Sequence, residues 1–224
     1  MPVSLCMIVK NEEDYIEKCI GSVNGIVDEI IIVDTGSNDR TREVAERFNA
    51  KIYDFKWNDD FSAARNFSIS KATKDWILVL DADETISSKD LETIKGLANN
   101  NSNNGKDNKK IVGYSFVQRT YCKEIKKLRF NYAKGDFYGE SEPFLGWTYR
   151  GITRLFMNNK RIKFIYPVHE TVIGSIKKIN GKIMQTSIPI HHFELLKGED
   201  FNNKKYNYYI RLFIDNCIAY SLKI

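Results

Sequence analysis

Cysteine, histidine and long apolar runs are all scarce in this 224-residue chain. The four cysteines, Cys6, Cys19, Cys122 and Cys217, form no CxxC pair and no zinc-ligand spacing. Cys6 and Cys19 lie in apolar or helical surroundings, where a free thiol acts as a small core residue. That pattern fits a reducing cytoplasm. No apolar run approaches the roughly 20 residues of a membrane span. The start, Met1-Pro2-Val3-Ser4, has no basic stretch followed by an apolar one, so no secretory signal is expected. No internal repeat is evident.

Apolar residues make up 42% of the chain and aromatics 12%, enough for a sizeable core and too many for a disordered chain. The length allows one large domain or two small ones. A net charge of +5 favours anionic partners without choosing among nucleotides, phospholipid surfaces and nucleic acid.

The chain is organised around Trp76-Ile77-Leu78-Val79-Leu80-Asp81-Ala82-Asp83-Glu84. Five apolar residues in a row read as a strand buried on both faces of a parallel sheet. Carboxylates follow at its carboxyl end, where open α/β sheets bind ligands. In an extended segment Asp81 and Asp83 point the same way. Two such oxygen ligands suit Mg²⁺ or Mn²⁺. An acidic turn capping the next helix is the plainer reading.

Strands are also expected at Val3 to Val9, Glu29 to Val33 and Ile52 to Phe55. Helices are expected at Asp14 to Val23, Thr41 to Phe48, Phe61 to Lys71 and Leu91 to Leu97. Alternation of the two types implies βαβ units. Residues 99–110 are polar and low in complexity and read as a mobile surface loop. Beyond them, Ile111 to Tyr121 and Ile125 to Tyr132 read as a hairpin. Lys134 to Trp147 reads as a long binding loop. Gly151 to Met157, Ile162 to Tyr166 and Ser187 to Ile190 read as strands. The tail Asn202 to Tyr220 is helical, with Tyr206, Tyr209, Ile210, Phe213 and Cys217 as its core-facing stripe.

Four strings in the first half, "CMIVKNEE", "IIIVDTGSNDRT", "WNDDFSAARN" and "DWILVLDADE", occur in the order and spacing of a known family. Here the chain resembles the inverting nucleotide-sugar glycosyltransferases of family 2. One such string would be weak, but four in sequence are specific. The resemblance implies an α/β GT-A fold, Rossmann-like with a mixed central sheet. Residues 1–100 would be the nucleotide-sugar-binding half and 101–200 the acceptor-binding and catalytic half. Residues 201–224 would form a C-terminal amphipathic helix.

The resemblance also implies roles. Asp34 would accept from the nucleotide base, with backbone groups of Met7 and Val9 and the side chain of Glu13 nearby. Arg65 would face the diphosphate or base. Asp81 would contact ribose or metal, Ala82 would line the donor site, and Asp83 would ligate the divalent cation, Mn²⁺ or Mg²⁺. Asp39 reads instead as a helix cap. With the later Val168-His169-Glu170 the chain looks like one branch of the family; many members carry a Glu-Asp-like pair where this chain has His169-Glu170, and Glu170 is the candidate base. His169 either orients Glu170 or is a satisfied core histidine. His192 is preferred over His191 as a further metal ligand. The donor would be a UDP-sugar, and the acceptor a saccharide, a lipid-linked saccharide or a polypeptide. A cytoplasmic place, with peripheral contact at the inner membrane face, and a homodimer are both compatible; nucleic acid is not an expected partner.

Two competing readings exist. Asp81-Ala82-Asp83-Glu84-Thr85 fits the DxDxT string of haloacid-dehalogenase-like phosphatases, but that string belongs at the end of a domain's first strand. Lys126, Lys127 and Arg129, interleaved with Tyr121, Phe130 and Tyr132, would suit a nucleic-acid-binding module. An alternating strand with a solvated face explains them as well.

Overall fold

The computed structural model describes residues 1–99, 109–125, 130–198, 203–204 and 206–212. In chain order the strands are β1 (Val3–Val9), β2 (Glu29–Asp34), β3 (Lys51–Asp54), β4 (Trp76–Val79), β5 (Glu84–Thr85), β6 (Ile111–Cys122), β7 (Phe130–Tyr132), β8 (Gly146–Met157) and β9 (Lys182–His192). The helices are α1 (Ile16–Val23), α2 (Thr41–Glu46), α3 (Phe61–Ser70), α4 (Leu91–Asn99) and α5 (Ile173–Lys178).

The apolar runs 5–9 of β1, 30–33 of β2 and Trp76–Val79 of β4 follow from cover on both faces. Val3, Leu5, Met7 and Val9 of β1, with Trp76, Leu78 and Leu80, pack in one layer with residues of α1, α2 and α4. Cys6, Ile31, Ile77 and Val79 pack in the opposite layer with Ile69 of α3 and Ile176 of α5. Side chains alternating at period 2 supply both layers from the same strands.

One mixed sheet runs in the order β3-β2-β1-β4-β8-β6-β9-β5, with β7 also on β8. β1, β2, β3 and β4 are parallel to one another. Their carboxyl ends therefore share one edge of the sheet, which brings Asp34 and the 81–84 segment to the same side. β8 runs antiparallel to β4 and β6, and β6 is parallel to β9.

The second half departs from the expected pattern in four places. The hairpin partner of β6 is β8; β7 is a short strand on the other side of β8, alongside its first residues. Trp147 is not in a loop, since β8 begins at Gly146. A Cβ at Gly146 would stand 2.1 Å from the Asn131 carbonyl oxygen, so this glycine permits the close β7–β8 approach. The segment Ile162 to Tyr166 is not a strand: only Ile165 bridges, to Thr171. The backbone of Phe164 instead pairs with the Asn66 side chain, which donates to its carbonyl at 2.9 Å and accepts from its N–H at 2.8 Å.

The tail is helical over the described residues 203–204 and 206–212. Its expected core stripe is split: Tyr206 and Ile210 are 64% and 40% exposed, while Tyr209 packs on Phe61. The helix docks through Tyr208, Tyr209 and Leu212. Trp57 Nε1 donates to the Tyr208 hydroxyl at 2.7 Å, Tyr209 lies 5.5 Å from the Phe61 ring, and Leu212 is buried. Phe213 and Cys217 lie outside the described residues, as does most of the Asn-rich stretch, 100–108.

Candidate active site

The chain after β4 turns at once. The Glu84 N–H donates to the Asp81 carbonyl at 3.0 Å, and the Asp81 N–H donates to Glu84 Oε2 at 2.9 Å. The extended geometry that would align Asp81 with Asp83 is absent, and the two carboxylates meet different partners. Ala82, between them, is buried in the core.

Asp81 is held between two arginines. Arg65 Nη2 lies 2.6 Å from Oδ1 and Arg154 Nη2 lies 2.6 Å from Oδ2. Arg154 also reaches Glu84 Oε1 at 2.7 Å, where Gln118 Nε2 donates as well. Burial alone would raise the Asp81 pKa. The charges of Arg154 and Arg65 outweigh it and hold the carboxyl well below its ordinary range. Arg65 Nη1 and Arg154 Nε are buried and have no protein partner among the described residues.

Arg65 also joins this cluster to the later histidine–glutamate string. Its Nε donates to Glu170 Oε1 at 2.5 Å. The second Glu170 oxygen accepts no hydrogen bond from the described residues, and the side chain is 15% exposed. His169 is exposed and has a positive φ of 57°. The core-histidine reading therefore fails, and among the described residues His169 makes no bond that would orient Glu170.

Asp83 faces a second group of residues. His192 Nε2 lies 3.6 Å from its Oδ1, and Lys197 Nζ lies 3.0 Å from its Oδ2. The pairing of β5 with β9 sets Glu84 opposite His192, which brings the histidine to the turn. Thr120 Oγ1 stands 2.9 Å from His192 Nδ1, so Nε2 is the nitrogen directed at Asp83. Two ligands of one ion, each at about 2.0–2.2 Å, stand at most about 4.4 Å apart. Asp83 and His192 therefore fit a shared divalent cation. Asp81 is not brought to them, and among the described residues no three His, Cys, Asp or Glu side chains gather into a metal cluster.

His191 points away from Asp83, as alternation along β9 requires. It is fully buried, with its Nδ1 2.6 Å from the Tyr121 hydroxyl and its ring stacked on Tyr121. Burial pushes its pKa down to about 4, so it is neutral near pH 7.

The corner at the carboxyl end of β2 is tightly wired. Asp34 Oδ1 accepts from the Gly36 and Ser37 N–H groups and the Ser37 hydroxyl, and Oδ2 accepts from Arg42 at 3.0 Å. Gly36 at φ 107° lets the chain fold back over the carboxylate. Met7 is buried within β1, and the Val9 carbonyl accepts from the Thr35 N–H and hydroxyl. Glu13 is paired with Arg40. Asp39 accepts from Thr41 N–H at 3.0 Å, ahead of α2.

Sequence reasoning missed Arg154, Lys197, Glu12 and Arg42. A charged residue inside the apolar end of β8 was the signal for Arg154. Glu12 stood in "CMIVKNEE" beside the residue chosen instead. Lys197 carried no pattern at all.

The glycosyl transferase family 2 model matches residues 4–161, and the chain belongs to that family. A TPR repeat-containing protein of Synechococcus elongatus is 38% identical over 174 residues, covering 78% of this chain and 36% of that protein. The SPbeta prophage-derived glycosyltransferase SunS of Bacillus subtilis is 31% identical over 172 residues, covering 75% of this chain and 34% of that protein. The chain thus spans about a third of the length of these relatives. Glucosyl-3-phosphoglycerate synthase from Mycobacterium tuberculosis, solved with Mn²⁺, UDP and glucosyl-3-phosphoglycerate, superposes with a TM-score of 0.56 at 15% identity. That alignment covers 96% of this chain and 80% of the other. The fold is GT-A. The phosphatase reading falls with this: Asp81 follows the fourth strand, and both its oxygens are held by arginines. Lys126, Lys127 and Arg129, the basis of the nucleic-acid reading, lie outside the described residues.

Proposed function

We propose that the chain is an inverting, divalent-metal-dependent glycosyltransferase acting on a UDP-sugar, with Glu170 as its base. The observation that carries this reading is the Arg65 fork, which ties Glu170 to Asp81 at the strand edge that also bears Asp83 and His192. One Glu170 oxygen is anchored by Arg65, and the other is open to an acceptor hydroxyl. In the transfer, that hydroxyl gives its proton to Glu170 as its oxygen bonds the anomeric carbon. The bond from that carbon to the diphosphate breaks on the opposite face. The buried donors Arg65 Nη1 and Arg154 Nε would meet anionic or hydroxyl groups of the donor. Asp83 and His192 would hold the cation, which supplies countercharge to the departing diphosphate. Asp34, Glu13 and the Met7–Val9 strand end would frame the base. The Mn²⁺ and UDP of the mycobacterial synthase support the choice of donor.

The acceptor is proposed to be a saccharide in surface-polysaccharide or glycoprotein assembly. Phe137, Leu145 and Tyr149, exposed around the 134–147 segment, would offer it apolar faces. Among the described residues no helix is long and apolar enough to cross a membrane.

The test is Glu170→Gln. UDP affinity should hold, while transfer falls by roughly 10²–10⁴-fold, the usual size of general-base catalysis. Hydrolysis of UDP-, GDP- and dTDP-sugars by the unaltered chain identifies the donor. NMR of the product reads the anomeric configuration, and a retained configuration refutes the mechanism.

A further inference from the structure

Lys197 closes a short 3-10 turn, Glu194–Lys197, directly after β9. Its ammonium lies 2.7 Å from both Glu12 oxygens and 3.0 Å from Asp83 Oδ2. The Tyr15 ring closes a third side, 4.9 Å away. The side chain is 8% exposed. Glu12 comes from the loop after β1 and Asp83 from the turn after β4. A single cation from the far half of the chain thus joins two of the polar strings at the strand edge.

We propose that Lys197 is the resident counter-ion of the cation position, and that its ammonium and a divalent metal compete for Asp83. The proposal rests on the metal-dependent reading above. The two oxygens of Asp83 face opposite demands: Oδ1 faces His192 Nε2 and Oδ2 faces the ammonium. A dication on Oδ1 would stand a few ångströms from Nζ, in a site from which most water is excluded, where repulsion is only weakly screened. The ammonium also pairs with Glu12, and so withdraws that carboxylate from any ion at Asp83. Metal alone therefore binds weakly. A nucleoside diphosphate changes the balance, because its oxygens add ligands for the metal and give Lys197 a new partner. Lys197 thereby makes metal and donor enter together, and keeps Asp83 and Glu12 neutralised when neither is present.

The experiment is Mn²⁺ titration of the full chain without any sugar, followed by the EPR signal of free Mn²⁺, with and without UDP. Lys197→Met, with Lys197→Gln as a second neutral variant should the first not fold, is expected to tighten Mn²⁺ binding at least tenfold in the absence of UDP. Lys197→Arg keeps the charge and should stay within about threefold of the unaltered chain. Lys18→Met removes a nearby charge whose ammonium lies over the Phe193 ring, 4.6 Å from its centroid. It should change the affinity by less than threefold, which separates direct competition from a general charge effect. Adding Asp83→Asn to the neutral variant should abolish the tight site. Neutral variants that bind Mn²⁺ no tighter than the unaltered chain, or a Lys18→Met effect of equal size, would overturn the role of Lys197. No Mn²⁺ binding by any variant even with UDP would instead overturn the metal-dependent reading itself.

Discussion

Replacing Arg65 with methionine should unfold the site before it disturbs anything else. Arg65 is 5% exposed and binds Asp81 at 2.6 Å and Glu170 at 2.5 Å. Methionine fills similar space but leaves both carboxylates without that partner. Removing one member of a buried pair typically costs about 3–5 kcal/mol, because the remaining charge stays buried. Arg154 keeps part of the Asp81 interaction and the Asp81 side chain is 32% exposed, so at most the lower end, about 3 kcal/mol, is expected. For a chain of this size, each kcal/mol moves the melting temperature by roughly 2–4 °C. The variant should therefore melt lower by up to about 6–12 °C.

The pH dependence gives an independent check. Asp81 has a depressed pKa in the folded chain, so its contribution is present above the unfolded carboxylate pKa and lost as pH falls through the folded value. Losing Arg65 raises the folded value. The stability gap between Arg65→Met and the unaltered chain should then be widest near pH 7 and narrow as pH falls towards 3. Urea denaturation at several pH values measures this. A double-mutant cycle with Glu170→Gln should give a coupling of about 1–3 kcal/mol. A variant melting within 1 °C of the unaltered chain, or a gap that widens in acid, would refute the fork as a source of stability.

Two further outcomes are expected. UDP with Mn²⁺ should raise the melting temperature, as any ligand of the native state does, and Asp83→Asn should remove the metal-dependent part of that rise. Glu29→Gln should cost roughly 1.5–3 kcal/mol at pH 7 in urea denaturation, since the carboxylate accepts from Lys51, Ser4 and Thr73. Burial works to raise the Glu29 pKa, but these bonds hold it down to about 2. The cost should be full above about pH 4.5 and fade towards pH 2; a cost unchanged at pH 2.5 would show that packing, not ionisation, is at stake.

The first half was legible because its signals are local. A strand covered on both faces is apolar along most of its length, and residues 5–9, residues 30–33 and Trp76–Val79 each announce themselves that way. α3 starts where Asp60 caps it, the side chain accepting from Ala63 N–H at 3.0 Å. The second half depends on pairings between residues far apart in sequence. β8 takes β6 on one side and both β4 and β7 on the other, and nothing in the run from 134 to 157 states that. The same reason hid half of the site. Asp83 was visible as a motif, but its neighbours His192 and Lys197 come from the end of β9 and the turn after it, and Thr120, which holds His192, comes from β6. Of these only His192 had a string of its own. The tail was legible in part: amphipathic spacing placed the helix and Tyr209, while the polar contacts of Tyr208 with Trp57 and Asp59 set how the described turns dock.

The string Trp57-Asn58-Asp59-Asp60-Phe61-Ser62-Ala63-Ala64-Arg65-Asn66 does more than supply a site residue. Trp57 and Asp59 hold the C-terminal helix through Tyr208. The Phe61 N–H donates to the Pro167 carbonyl at 3.0 Å, Arg65 holds Glu170, and Asn66 satisfies both backbone groups of Phe164. The 162–171 segment is thus pinned at three points by one helix. It needs to be, because Tyr166 at φ 74° and His169 at φ 57° lie in the left-handed region that non-glycine residues avoid. Each costs on the order of 1 kcal/mol or more, and such conformations persist only where the surroundings over-determine them. Asn66 therefore acts on Glu170 without touching it. Its amide replaces a missing strand neighbour for Phe164, and the loop that carries Glu170, the proposed base, is built outward from that anchor. The family string and the later histidine–glutamate string are, in this reading, two halves of one device: the first fixes the backbone on which the second presents its carboxylate.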